Sequence, residues 1–258
     1  MGLRDRSELA SAKRIVVKVG SSSISGENSG KIDLLVDAIA EAHGRGVEVI
    51  LVSSGAIATG LPLLNMTEKP EDLATQQALA SVGQSRLISR YQLSLERFNI
   101  VAGQVLLTSG DMEEAETRLN AKRAMDKLVS LRVLPIVNEN DTVATAEIRF
   151  GDNDRLAALV AVLVDADALV LLSDVDALYD MPPTKPGATR IDTVAYGEDL
   201  SGVEVGGSNS VVGTGGAVTK VGAARLATEA GVAVLLTSTD NVSAALNGDA
   251  VGTWFESE

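Results

Sequence analysis

Six short runs of aliphatic, largely β-branched residues recur along the chain: RIVVKV (14–19), VEVILVS (47–53), IVAGQVLL (100–107), VLPIV (133–137), ALVLLS (168–173) and VAVLLT (232–237). Each is strand-length and apolar at consecutive rather than alternate positions, the pattern of a strand covered on both faces. Between them, residues 32–43, 71–98, 112–131, 152–164 and 217–230 place apolar residues at helical spacing among good helix formers. Such alternation predicts an α/β chain with an open, mostly parallel sheet and helices on both faces. Aromatic residues make up only 3% of the chain against 45% hydrophobic residues, so the core is expected to be aliphatic. Gly44 and Gly46 read as the end of one helix and Gly231 as the end of another. With neither an internal repeat nor a low-complexity linker, residues 1–258 are expected to form a single domain.

Charge and composition narrow the function classes. Thirty-five acidic residues against 22 basic ones give a net charge of −13, a field that repels nucleic acid and anionic membranes. Any anionic ligand must be met by local cations or aimed backbone N–H groups. With no cysteine in the chain, thiolate metal sites and thiol nucleophiles are excluded. His43 is the one histidine, placed at a helix end where it reads as a C-terminal capping charge, so no Ser–His–Asp triad can be built. The opening MGLRDRSELASAKR has no apolar signal core, and the most apolar run, 156–172, is broken by Asp165 and Asp167. A cytoplasmic protein that neither spans nor binds a membrane is the expectation.

In an α/β sheet, ligands gather where strands end. The strand ends here are unusually polar: KVGSSS, VSSGA, VNENDT and LLSDVD each follow an apolar run. KVGSSSISG (18–26) combines backbone donors with the charge of Lys18, although an ordinary strand-to-helix turn would look the same. SSGAIATG (53–60) is a glycine turn opening a helix, a ready anion site that is weak evidence alone. GTGGAVTK (213–220) is a glycine loop entering a helix that carries Lys220. It lacks the glycine–lysine pair of a P-loop, and Val218 stands where a dinucleotide fingerprint needs its last glycine. The fourth motif, VNENDTVATAEIRFGDND (137–154), holds five acids, three asparagines and one arginine. Its NEND and GDND are expected to bracket a short hairpin, with Asp152 capping the next helix. Asparagines interleaved with aspartates supply donors and acceptors together, which suits a zwitterion or a magnesium–phosphate better than solvent. Trp254 reads as the core of a last strand.

Two lysines, two glycine turns and an aspartate cluster describe phosphoryl transfer better than hydrolysis or hydride chemistry. Its transition state spreads negative charge over equatorial oxygens, so positioning and cations do most of the catalysis. At these residues the chain resembles the amino acid kinase family over about residues 13–255. VVKVG, VSSGAIA, QALASVGQSRLI, LNA (119–121), VNENDTVATAEI, FGDND, SDVDALY and GTGGAVTK all stand in the family's order. SSGA is shared widely across that family, whereas NEND followed by GDND marks the branch that phosphorylates glutamate.

The resemblance implies a three-layer αβα sandwich in which the N-terminal part binds L-glutamate and roughly residues 166–258 bind ATP. Lys18 and Lys220 would clasp the transferred phosphoryl, with Asp154 orienting both. Ser54, Asn138, Asp141, Asp152 and Asn153 would hold glutamate. Gly20 and Gly55 would face the γ-phosphoryl, and Ser173, Asp174, Thr214, Gly215 and Gly216 would line the nucleotide. Mg2+ would ride on the nucleotide phosphates rather than on protein ligands. Many bacterial members carry a C-terminal PUA domain, which is not expected here, and the segment after SDVDALY is short and proline-rich. The resemblance further implies feedback by proline, and the unstable acyl phosphate implied as product suggests a glutamate-5-semialdehyde dehydrogenase partner. The 71–98 helix is a candidate surface for a homo-oligomer. Kinases of the same fold acting on aspartate, N-acetylglutamate or UMP, and a non-catalytic amino-acid sensor, are the alternatives.

Overall fold

The computed structural model describes residues 2–143, 153–200, 203 and 216–258. Along the chain run β1 (Arg14–Val19), α1 (Lys31–Gly44), β2 (Glu48–Ser53), α2 (Ala56–Leu63), α3 (Leu73–Glu96) and β3 (Ala102–Leu107). There follow α4 (Ser109–Glu113), α5 (Ala115–Ser130), β4 (Leu134–Glu139), α6 (Asn153–Leu163), β5 (Ala168–Ser173) and the short β6 (Leu178–Tyr179), β7 (Arg190–Ile191) and β8 (Thr193–Val194). The chain closes with α7 (Ala217–Thr228), β9 (Ala233–Ser238), α8 (Val242–Leu246) and β10 (Thr253–Phe255).

Eight of these strands form one sheet in the order β3-β4-β2-β1-β5-β9-β10-β8, while β6 and β7 pair separately. The six long strands are mutually parallel, and β10 turns antiparallel to β9. The all-apolar runs explain this directly, since both faces of β1, β2 and β5 are covered. Ile15, Val17 and Val19 pack with residues of α1, with Leu87, Tyr91 and Leu95 of α3 and with α8. Val16, Ile50 and Val52 pack on the other face with Met125 and Val129 of α5 and with α6 and α7. The result is the expected αβα sandwich. Trp254 is buried in β10, as its sequence context implied.

Three local outcomes refine the sequence reading. The helix expected over 112–131 is two helices. A capping box between Thr108 and Asp111 starts α4 early, and Glu114, extended at ψ 122, separates it from α5. Gly46, rather than Gly44, takes the left-handed turn after α1, with φ +98. His43 does end α1, but Arg132 lies over it, donating to its carbonyl and lying 3.0 Å from Nδ1. Burial, then the Arg132 charge, lowers its pKa, so it is neutral at pH 7 rather than a capping charge. Among the described residues, no helix is long and apolar enough to cross a membrane.

Candidate active site

Because β1, β2, β4, β5 and β9 run in parallel, their carboxyl ends share one edge of the sheet, and the polar stretches noted above converge there. Side chains alternate across β1, so Lys18 shares the face of Val16 and points toward α6 and α7. Asp154 stands in the first turn of α6 and Lys220 at the fourth position of α7. The three meet: Lys18 Nζ is 2.6 Å from Asp154 Oδ1 and Lys220 Nζ is 3.3 Å from Asp154 Oδ2. Thr219 donates to the same Oδ2 at 2.8 Å and also to the carbonyl of Gly216 at 2.9 Å, tying the start of α7 to the carboxylate.

All three charged groups are withdrawn from water, with relative exposures of 4% for Lys18, 2% for Asp154 and 7% for Lys220. Burial opposes ionisation of Asp154, but the two ammonium charges and the hydrogen bonds from Lys18 and Thr219 outweigh it and lower its pKa to about 2. Both ammonium groups thus meet the one Asp154 carboxylate. An isolated buried charge is costly, and an anionic ligand at this edge would meet the same ammonium groups.

The glycine turn after β2 lies against the turn that follows β1 and Lys18. Ser54 N donates to Val19 O at 3.2 Å, binding the ends of β1 and β2 together. Gly55 has φ +101, a conformation that favours glycine, and opens α2. A Cβ there would stand 3.5 Å from Ser21, so the turn after β1 and the turn after β2 are in contact. At Gly20 a Cβ would lie 3.8 Å from Lys18 Nζ. Backbone donors at these two touching turns, at a helix N-terminus and near the Lys18 ammonium, are chemically suited to phosphate oxygens.

The acidic motif begins at the end of β4. Asn138 is buried, and its Nδ2 donates to Gln84 Oε1 at 2.6 Å while its Oδ1 accepts from the backbone N–H of Glu139 at 2.9 Å. Asp141 follows, partly buried. Burial and the Glu139 charge raise its pKa to about 7 against a weaker opposing effect of Lys69. Asn153 is buried at the start of α6, and its Oδ1 has no hydrogen-bond partner among the described residues. Asp152 and the hairpin expected between NEND and GDND lie outside the described residues, as do Thr214 and Gly215. At the nucleotide side, Ser173 ends β5 and donates to Asp174 Oδ1 at 2.9 Å, Asp174 itself being exposed, and Gly216 caps α7.

Three residues that the sequence did not single out join this edge. Thr219 was within a quoted motif but is neither charged nor glycine. Gln84 and Tyr91 are on α3, where polar residues read as a solvated face. Yet Tyr91 is fully buried with its hydroxyl 2.9 Å from Ser53 Oγ, and Gln84 reaches Asn138. Of the two, Gln84 alone lies within a quoted run, QALASVGQSRLI.

The amino acid kinase family model matches residues 13–238. A glutamate 5-kinase of Clavibacter sepedonicus is 69% identical over 255 residues, covering 99% of this chain and 98% of that protein. That of Leifsonia xyli subsp. xyli is 68% identical over 256 residues, covering 99% and 95%. The glutamate 5-kinase of Salinispora arenicola is 57% identical over 258 residues, covering 98% of this chain but 69% of its own longer length. Among solved structures, carbamate kinase from Giardia lamblia bound to AMP-PNP superposes with a TM-score of 0.70 at 16% identity, over 96% of this chain and all of that one, a likeness of fold.

Proposed function

The chain belongs to the amino acid kinase family, and we propose that it phosphorylates the side-chain carboxylate of L-glutamate, giving L-glutamyl 5-phosphate. The activity is that of a glutamate 5-kinase, an ATP-dependent phosphotransferase that uses Mg2+ and opens proline biosynthesis. At the site, the observation that carries this reading is the pair of buried lysines sharing one carboxylate at the carboxyl edge of the parallel sheet.

The residues divide the work as follows. Lys18 and Lys220 hold the transferred phosphoryl from two sides and neutralise charge on its equatorial oxygens, where charge develops in the transition state. Asp154 spaces the two ammonium groups and pairs with both. Gly20 and Gly55 offer backbone N–H groups to the γ-phosphoryl. The segment 173–174 and residues 214–216 line the nucleotide, and Mg2+ screens the charge of its phosphates. Ser54, Asn138, Asp141, Asp152 and Asn153 hold glutamate, with Asp141 taking the α-ammonium. The acceptor carboxylate is already ionised at neutral pH, so the reaction requires alignment and no general base. A site without a catalytic histidine suits this chemistry.

We further propose that residues 1–258 act as one kinase domain in the cytoplasm, with glutamate on the N-terminal part and ATP on residues 166–258. Proline, which presents an α-carboxylate beside a charged secondary ammonium much as glutamate presents its α-groups, would compete at the acceptor loop. The product is an acyl phosphate that cyclises readily, so a reductase such as glutamate-5-semialdehyde dehydrogenase would be its partner. A homo-oligomer would form on α3, where Val82 and Leu93 are exposed.

The test is incubation with ATP, Mg2+, glutamate and hydroxylamine. Formation of γ-glutamyl hydroxamate, absent with aspartate or N-acetylglutamate, is the expected result. ADP release without hydroxamate would move the acceptor assignment to another compound.

A further inference from the structure

The hydrogen bonds at the end of β4 fix the polarity of two side-chain amides in sequence. The backbone N–H of Glu139 is a donor only, so the Asn138 atom that meets it, 2.9 Å away, is the oxygen Oδ1. That turns Asn138 Nδ2 toward α3. Nδ2 is again a donor only, so the Gln84 atom 2.6 Å from it is Oε1. The other branch of Gln84, Nε2 with two N–H groups, is thereby left to donate elsewhere, and it has no partner among the described residues. A single backbone N–H thus dictates which face of Gln84 is a donor.

Gln84 is also held closely in place. Its neighbour Gly83 packs so tightly on α2 that a Cβ there would lie 1.8 Å from the carbonyl oxygen of Ala56 and 2.6 Å from Gly60 N. Gly60 in turn faces Leu79 O, at 2.2 Å from a notional Cβ. The two helices therefore touch backbone to backbone at the first turn of α2, directly after Gly55. Two turns further along α3, Tyr91 binds Ser53, the residue before Ser54. Gln84 is thus fixed between the glycine turn and the acidic loop, half-buried, with a preset amide donor.

We propose that Gln84 is a substrate-binding residue whose Nε2 donates to the α-carboxylate of the acceptor amino acid, with Asn138 as the residue that sets its orientation. The acceptor loop is rich in carboxylates, suited to an ammonium group. The two lysines are engaged with Asp154 and, in the reading above, with the phosphoryl. The α-carboxylate of glutamate needs a donor on the loop side of the turn, and Gln84 supplies one that cannot rotate into an acceptor without breaking its bond to Asn138. The inference rests on the glutamate-kinase reading and deepens it.

Gln84→Glu separates binding from mere support. The variant keeps an oxygen facing Asn138 Nδ2, so the latch survives, but it replaces the donor with a second acceptor and a negative charge. The assay compares glutamate with its α-carboxamide, isoglutamine, in the hydroxamate reaction. The expected outcome is a rise in KM for glutamate of roughly 10- to 100-fold, as for loss of a charge-assisted hydrogen bond. The KM for ATP should hold, and the kcat/KM preference for glutamate over isoglutamine should fall by a similar factor. That ratio does not depend on the fraction of folded enzyme. A Gln84→Met variant, which lacks the donor without adding charge, should move it the same way. An unchanged ratio in both variants, or a change carried equally by the KM for ATP, would overturn the proposal. A wild-type enzyme that makes no hydroxamate would instead count against the acceptor assignment.

Discussion

Replacing Asp154 with asparagine is the sharpest probe of the lysine cluster, because the change is nearly isosteric while it removes the charge and turns one acceptor oxygen into a donor. In the wild type the buried group comprises two ammonium ions and one carboxylate, with Lys18 at 2.6 Å and Lys220 at 3.3 Å. The carboxyl is lowered from 3.8 to about 2, a preference for the ionised form of about 2.5 kcal/mol over a solvated carboxyl. Asp154→Asn forfeits that preference and deprives both buried ammonium groups of the carboxylate they share. Removing one partner of a buried pair costs about 3–5 kcal/mol. For a chain of this size each kcal/mol lowers Tm by roughly 2–4 °C, so the ligand-free variant should melt roughly 10 °C below wild type.

Nucleotide should reverse much of that loss. Phosphates supply the missing negative charge, so saturating MgATP is expected to raise the Tm of Asp154→Asn by more than that of wild type. Turnover should still fall steeply, since the lysines no longer share an anchor, while the KM for ATP does not rise. The pH behaviour has a fixed sign. The folded pKa lies below the unfolded one, so Asp154 contributes its stability above pH 3.8 and loses it as pH falls through about 2. Wild type and variant should converge in stability in that acid window. Differential scanning fluorimetry with and without MgATP, beside the hydroxamate assay, reads all of this. A ligand-free variant as stable as wild type at pH 7, or one whose KM for ATP rises in step with the loss of turnover, would refute the shared-carboxylate argument.

Asp141 makes stability depend on pH in the opposite sense to Asp154, and ties glutamate binding to its ionised form. Its folded pKa, raised to about 7, means that ionised Asp141 destabilises the ligand-free fold progressively as pH rises from 3.8 to about 7. An ammonium group binds the ionised form, so the KM for glutamate should fall as pH rises toward 7, by up to about tenfold per unit, and flatten above it. Steady-state kinetics from pH 5.5 to 8.5 check this, and Asp141→Asn should abolish the slope. Gly83→Ala should be severely destabilising, because its Cβ would lie 1.8 Å from the Ala56 carbonyl oxygen. A cost of several kcal/mol, with α2 and α3 forced apart, is expected in urea unfolding, whereas the same change at the unencumbered Gly222 of α7 should be mild.

The long strands were readable to within a residue or two because β1, β2, β4, β5 and β9 are buried on both faces. Their runs are therefore largely apolar at consecutive positions, and the edge strand β3 still carries enough aliphatic residues to show. The two-residue strands β6, β7 and β8 are too short to carry any period and were not readable. The break between α4 and α5 escaped because apolar spacing continues across it. The signal was the Thr108–Asp111 capping pair just upstream of the expected start. Lys18, Asp154 and Lys220 were recognisable singly by motif and resemblance, but their contact spans 202 residues of sequence and arises only from the strand order. Gln84 and Tyr91 were the hardest to see. Polar residues along a long helix usually face water, and nothing local distinguishes the two that turn inward to meet loop ends more than 30 residues away.

That asymmetry follows from how the site is built. On β1 the alternation of faces places Val16 and Lys18 on the same side, so the lysine occupies what is by pattern a core position. A charge can stay there only because α6 starts with Asp154 at that level and α7 delivers Lys220 with Thr219 to the same carboxylate. The opposite face of the same edge is organised by α3, which touches Ser53, Ala56 and Asn138 in turn. One layer of helices therefore sets the cations and the other sets the backbone turn and the acceptor loop, with the sheet edge between them. A phosphoryl group crossing that edge passes from elements fixed by charge to elements fixed by backbone contact. This explains why a chain with net charge −13 can still bind phosphate: the local field that matters comes from three side chains sealed away from the acidic surface.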